Sequence, residues 1–331
     1  MGRLRIGTLL LALSLAFLSL ASMGLAWIAP ARAQEPVRQE LVRQEPVRVV
    51  ATFSILGDLV RQVGGSRVAV TTLVGPNGDA HSFVPAPADA QAVAAARLVV
   101  VNGLGFEGWI DRLIKASGTK ATVVVAAKDI VPIEEEDEGG GHGHDQGHSQ
   151  DHGHAHAADP HAWQNVANTR SYVATIRDGL LSVDPEGAGT YQANAAAYLA
   201  QLDALDAEVR TAIAGIPEAR RRIVTTHDAF GYFAKAYGLR FLAPQGVSSQ
   251  SEATARDVAA IVRQVRRDKI PAVFLENISD PRLMQQIARE SGARAGGRVF
   301  SDALSEPGGP APTYLEMIRH NVKEFVAALS G

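Results

Sequence analysis

Short, nearly continuous apolar runs rich in β-branched residues alternate with amphipathic stretches along this 331-residue chain. Such runs are too short for helices and must be buried on both faces, which restricts the fold to parallel sheets covered by helices. Val47–Phe53 reads as a strand, followed by a helix over Ile55–Val63 and a second strand over Arg67–Leu73. A helix over Pro87–Ala96 leads to a third strand, Leu98–Val101; a helix over Glu107–Ala116 leads to a fourth, Ala121–Ala126.

A second unit repeats the order. Strands are predicted at Arg222–Thr226, Arg240–Ala243, Ala272–Glu276 and Arg298–Ser301. Helices are predicted at Phe230–Tyr237, Ala255–Arg267, Asp280–Ser291 and Thr313–Leu329. Between the two units lie a helix over Val166–Leu181, a break at Asp184-Pro185, and one long helix from Glu186 to about Ile213, closed by Gly215 and Pro217. The expected fold is α/β: two lobes, each a mainly parallel sheet flanked by helices, joined by one long rigid helix. The expected divisions are an N-terminal lobe over 47–185, a linking helix over 186–214 and a C-terminal lobe over 215–331.

Ahead of the first strand the chain reads as an export signal. Arg3 and Arg5 precede an apolar stretch from Ile6 to about Ile28, and Ala31-Arg32-Ala33 offers a cleavage site, giving a signal peptide over 1–33. Residues 34–46 open a Gln-Glu-x-Val-Arg repeat in three copies, too polar and too proline-rich for a packed element, and read as a flexible leader. The sequence contains no cysteine, so it has neither a disulfide framework nor a thiol to carry a lipid. The expected location is the periplasm, with the signal cleaved and no lipid anchor. A net charge of −3, with no basic cluster past the signal, argues against nucleic acid as a partner.

Seven of the ten histidines fall between His142 and His161, after an acidic run from Glu134 to Glu138. Imidazole is the commonest protein ligand for transition metals, so a histidine-rich loop over 134–158 reads as metal-linked. Its members His142, His144, His148, His152, His154 and His156 are expected to give weak, additional sites. A polar segment must lose conformational entropy at each binding event, which limits the affinity of any one of them.

The tight site is expected elsewhere. In open α/β sheets, ligands bind beyond the carboxyl ends of the strands. Four candidates survive that filter. His81 lies in the loop after the second strand, and His161 beyond the fourth. His227 directly follows the strand ending at Thr226, and Asp302 follows the strand ending at Ser301. Two come from each lobe, so all four can converge on one cleft. Three imidazoles and a carboxylate form a tetrahedral set suited to Zn²⁺. Taken singly, each is ambiguous: a loop histidine is commonly a surface residue, and Asp302 alone could cap a helix.

The segments Gly78-Asp79-Ala80-His81-Ser82-Phe83, Asp159-Pro160-His161-Ala162-Trp163 and Thr226-His227-Asp228-Ala229-Phe230 carry a family resemblance. With Ser301-Asp302-Ala303-Leu304 and the stretch from Tyr314 to Asn321, they resemble the signatures of periplasmic solute-binding proteins of bacterial zinc and manganese ABC importers. The match runs in order from Val47 to Leu329. The resemblance implies a two-lobed clamp that captures metal between its lobes and delivers it to an inner-membrane permease. By motif it implies His81, His161, His227 and Asp302 as ligands. Manganese-type relatives tend to place glutamate where His227 stands, so imidazole there, like the histidine loop, points to Zn²⁺. Asn165-Val166 departs from the proline often found after the Asp-Pro-His-x-Trp motif.

Asp79, Asp159 and Asp228 are candidates to accept the free N–H of a ligand imidazole, with turn or cap roles as the alternatives for Asp159 and Asp228. Trp163 is expected to pack beside the site. The leading expectation is therefore a monomeric, non-enzymatic zinc carrier serving an ABC permease. A manganese or iron carrier, or a zinc store or chaperone built on the loop, is the alternative; a periplasmic zinc chaperone is also a possible partner. A secreted zinc hydrolase is disfavoured, since there is no His-Glu-x-x-His pattern and four protein ligands leave no place for water.

Overall fold

The computed structural model describes residues 45–133, 158–250 and 253–330. The expected signal peptide, all but the last two residues of the leader, and the histidine loop up to residue 157 lie outside the described residues. No helix among the described residues is long and apolar enough to cross a membrane.

The N-terminal half contains β1 (Val47–Phe53), α1 (Ser54–Gly64), β2 (Val68–Val74), α2 (Pro87–Ala95), β3 (Leu98–Val101), α3 (Ile110–Ser117) and β4 (Thr122–Val125). Two long helices follow, α4 (Val166–Val183) and α5 (Ala188–Ala214). The C-terminal half contains β5 (Arg222–Val224), α6 (Gly231–Tyr237), β6 (Arg240–Leu242), α7 (Ala255–Asp268), β7 (Ala272–Glu276), α8 (Pro281–Ser291), β8 (Arg294–Val299) and α9 (Tyr314–Leu329).

Both sheets are parallel and four-stranded, in the orders β2-β1-β3-β4 and β6-β5-β7-β8. In each, the order reverses at the central pair of strands, which opens a crevice at their carboxyl ends. The central strands β1 and β3 are almost wholly buried, as their unbroken apolar sequence requires. Helix boundaries follow local chemistry. Thr254 and Asp257 form a reciprocal capping box on α7, Asp280 and Pro281 start α8, and Gly118, Gly238 and Gly292 end α3, α6 and α8 in the left-handed conformation. Asn165, which departs from the resembled motif, caps α4 by accepting the N–H of Ala167 at 3.0 Å.

Helix α5 runs 27 residues, about 40 Å at 1.5 Å per residue. Its buried face is Tyr191, Ala195, Tyr198, Leu202, Leu205, Val209 and Ile213, steps of three and four that keep one stripe against α4, α1 and α9. One apolar core runs continuously from β1 through these helices to Phe274 and Phe325, with a smaller one beneath α7 and α8. The start of α9 reaches across to the other half, where the Tyr314 N–H donates to Asp58 at 2.8 Å.

Strand β8 differs from expectation. It begins at Arg294, not Arg298, and ends at Val299. Residues 294–297, which include Gly296 and Gly297, lie ahead of the expected start yet belong to the strand. A Cβ on Gly296 would lie 2.5 Å from the Phe274 ring, and one on Gly297 would collide with the Glu324 carboxylate. The pairing of β7 with β8 slips at this point, between Val273 and Leu275.

Candidate metal centre

The two crevices face each other, and the loops leaving their strands bring four side chains together. His81 arrives from the loop after β2, His161 from the segment preceding α4, His227 from the exit of β5 and Asp302 from the exit of β8. One donor atom from each lies within 4.8 Å of all the others. His81 Nε2 is 3.3 Å from His161 Nε2 and 3.3 Å from Asp302 Oδ2. His227 Nε2 is 3.2 Å from Asp302 Oδ2, and His161 Nε2 is 3.5 Å from Asp302 Oδ1. The structure thus assembles every residue of the expected quartet. The six histidines expected to give weak, additional sites, His142, His144, His148, His152, His154 and His156, lie outside the described residues. Among the described residues, His81, His161, His227 and Asp302 form the one cluster suited to a metal ion.

All four are buried, and His81 alone keeps measurable exposure, 5%. Both ring nitrogens of His227 and both Asp302 oxygens are buried without a well-formed hydrogen bond, although Glu276 Oε2 lies 2.5 Å from His227 Nδ1 as an ion-pair contact. Unsatisfied buried polar atoms are costly, and here His227 Nε2 and the Asp302 oxygens lie with the His81 and His161 rings around a common centre. That arrangement suits a divalent cation: three imidazole nitrogens and a carboxylate able to offer one oxygen or two.

Without a cation, protons take its place electrostatically. Burial pushes the His161 imidazole down, but Asp302 and Asp159 beside it outweigh this and raise its pKa to about 9. His227 is likewise lowered by burial and raised more strongly by Glu276 and Asp302, ending well above the ordinary imidazole range. Burial raises Asp302, yet His227 and His161 hold it well below the usual carboxylate range.

The surroundings orient these rings. Asp159 Oδ1 takes the His161 ring N–H at Nδ1, 2.8 Å away, and its backbone N–H at 2.9 Å, leaving Nε2 aimed at the centre. The Asn102 amide donates to the Pro160 carbonyl at 2.9 Å and accepts the Tyr172 hydroxyl at 2.7 Å, fixing the turn that carries His161. Phe106 packs edge-on against His81, ring centroids 4.6 Å apart, and Trp163 sits 5.3 Å from His161. Trp163 is wholly buried, and its indole N–H donates to the Ser301 carbonyl at 3.0 Å, so it packs beside the site as expected.

The other two aspartates are placed differently from Asp159. Asp79 accepts the His81 backbone N–H at 2.9 Å and the hydroxyls of Ser82 and Ser249, each at 2.7 Å; it shapes the loop without meeting the His81 ring in these contacts. Asp228 donates its backbone N–H to the Gly246 carbonyl at 3.1 Å. The carboxylate facing His227 Nδ1 is Glu276, 2.5 Å away and buried. Sequence reasoning passed over Glu276 because it is the last residue within a strand, not a loop residue beyond one. Its position at the carboxyl end of a central strand was the available signal. Gln250 was also missed; its amide donates to the His81 carbonyl from a loop 169 residues away in sequence.

A family profile described as "Zinc-uptake complex component A periplasmic" matches residues 49–328. The chain is 36% identical over 285 residues to the manganese-binding lipoprotein MntA of Halalkalibacterium halodurans, covering 86% of this chain and 89% of the relative. It is 31% identical over 276 residues to the iron-binding protein YfeA of Yersinia pestis, covering 83% and 84%. Among solved structures it is similar to the periplasmic zinc-binding protein TroA from Treponema pallidum, with a TM-score of 0.78, 29% identity, and coverage of 86% of this chain and 99% of the other.

Proposed function

The chain belongs to the periplasmic zinc-uptake component A family, the metal-binding components of bacterial ABC importers, and from that membership we propose that His81, His161, His227 and Asp302 capture a divalent transition metal for delivery to a membrane permease. The observation that carries this reading is the convergence of three imidazole nitrogens with a buried carboxylate, one donor atom of each within 4.8 Å of all the others. The metal is cargo. Four protein ligands around one centre fit capture better than hydrolysis, which needs a coordination position left open for water.

Manganese or iron is the cargo we favour, in place of the zinc expected from sequence. The two named relatives of higher identity are named for those metals. Asp302 also fits, because both its oxygens face the ligand imidazoles, and a carboxylate offering two oxygens would give five donors, which suit a harder ion than a closed tetrahedral set does. Zinc is the second reading, favoured by the third imidazole, His227, and by the zinc-binding protein TroA. Competition titration of Mn²⁺ against Zn²⁺ on the metal-stripped chain tests the choice. Preferential retention of Mn²⁺ or Fe²⁺ supports the first reading, and displacement of either by equimolar Zn²⁺ supports the second.

We place the protein outside the cytoplasm, freely diffusing after signal cleavage near Ala33, since its 331 residues include no cysteine for a lipid. In this reading His142, His144, His148, His152, His154 and His156 serve as weak gathering sites apart from the quartet. Deleting them should leave one tight site per chain; tight binding that vanished with the loop and survived His227→Ala would favour a store instead.

A further inference from the structure

Glu276 is buried at the carboxyl end of β7 and makes more contacts around the site than any role assigned so far requires. Its Oε1 accepts the backbone N–H of Thr226 at 2.7 Å and of His227 at 3.0 Å. Its Oε2 accepts the Ser301 hydroxyl at 2.9 Å and lies 2.5 Å from His227 Nδ1. One carboxylate thereby ties the exit of β5 to the exit of β8, and so ties His227 to the segment bearing Asp302. The Ser301 carbonyl in turn accepts Trp163 Nε1 at 3.0 Å and the Gln164 amide at 2.7 Å, two and three residues after His161. The chain of contacts from Glu276 reaches three of the four donors.

A neutral imidazole offers its lone pair at Nε2 only when its proton sits on Nδ1. A carboxylate at Nδ1 holds the proton there, as Asp159 does for His161 from two residues away. At His227 that position is filled from 49 residues along the chain.

We propose that Glu276 is a positioning residue for metal capture: it fixes His227 in the Nδ1–H tautomer, aims Nε2 at the centre, and sets the spacing between His227 and Asp302. This rests on the reading of the quartet as the metal site. Glutamine is the discriminating replacement because it has the same shape. Its amide oxygen can keep both backbone hydrogen bonds, while its NH₂ group would donate toward His227 Nδ1. The imidazole proton must then move to Nε2, where it blocks the lone pair.

The test compares full-length wild type, Glu276→Gln, His227→Ala and the double variant, each metal-stripped and titrated with Mn²⁺ and with Zn²⁺ against a chromogenic chelator. Glu276→Gln is expected to lose about 10–100-fold in affinity with an unchanged circular dichroism spectrum. The double variant should bind no more weakly than His227→Ala, since a residue acting through an imidazole has nothing left to act on once it is gone. Wild-type affinity in Glu276→Gln, or a further independent loss in the double variant, overturns the proposal. If Glu276→Gln does not fold, nitrogen-15 histidine NMR of the zinc-loaded wild type decides. A His227 Nδ1 bearing a proton hydrogen-bonded to carboxylate supports the proposal, and an unprotonated Nδ1 overturns it. A wild-type chain that binds neither metal overturns the quartet reading itself, and this inference with it.

Discussion

At the residue scale, proton and metal compete for the same lone pairs. Burial disfavours charge on His161, but Asp302 and Asp159 win and raise it to about 9, so the metal-free site is protonated at neutral pH. Metal binding must then expel protons. Calorimetry at pH 7 in buffers of different ionisation enthalpy should show proton release, and affinity should keep climbing between pH 6 and about 9. Affinity flat above pH 7 would contradict this. The sign for stability follows. A raised imidazole pKa stabilises the metal-free fold fully below 6.5, and that contribution is lost as pH rises through about 9. The stripped protein should therefore melt lower at pH 10 than at pH 7, and the loaded protein should be less affected. Replacing Asp159 with alanine removes the acceptor at His161 Nδ1, and affinity should fall about 10–100-fold by chelator competition.

At the element scale, two glycines tie packing to the site. Gly231 opens α6 against Asp159, and a Cβ there would lie 2.6 Å from Asp159 Oδ2. Gly231→Ala should displace that carboxylate and weaken metal binding about 10-fold, the lower range for a partner behind a ligand. Gly296→Ala drives a Cβ into the buried Phe274 ring, and should cost about 1–3 kcal/mol in denaturant melts while sparing the quartet. The same elements show what sequence could reveal. Strands such as β3 and the long α5 were legible because one period, apolar-continuous or three-and-four, dominates each of them. Strand β8 was not, because it opens with Arg-Ala-Gly-Gly, and the Phe274 ring that packs against Gly296 is distant in sequence. His81, His161, His227 and Asp302 were legible as residues leaving strand ends, although only the joint motifs singled them out. Glu276 was hidden for the opposite reason: it ends a strand, and its partners come from two other segments.

At the scale of the whole molecule, the site is a joint between two similar sheets that share one core through α4, α5, α1 and α9. The halves also meet at the rim of the site, where Leu304 accepts the N–H of Asn77 at 2.9 Å and donates its own to Ser54 at 2.9 Å. A cation at the seam adds bonds to both halves, so saturation at 100 times Kd should raise stability by about 2.7 kcal/mol, reversibly with chelator. The central claim is that capture resides in four residues drawn from both halves and not in the histidine tract. Its most direct test is calorimetric titration of the metal-stripped chain lacking residues 142–156, with and without His227→Ala. One tight divalent-metal site per chain is expected, weakened more than about 100-fold by His227→Ala, beyond the loss of a supporting partner alone. No tight site in the shortened chain, or one indifferent to His227→Ala, would contradict it.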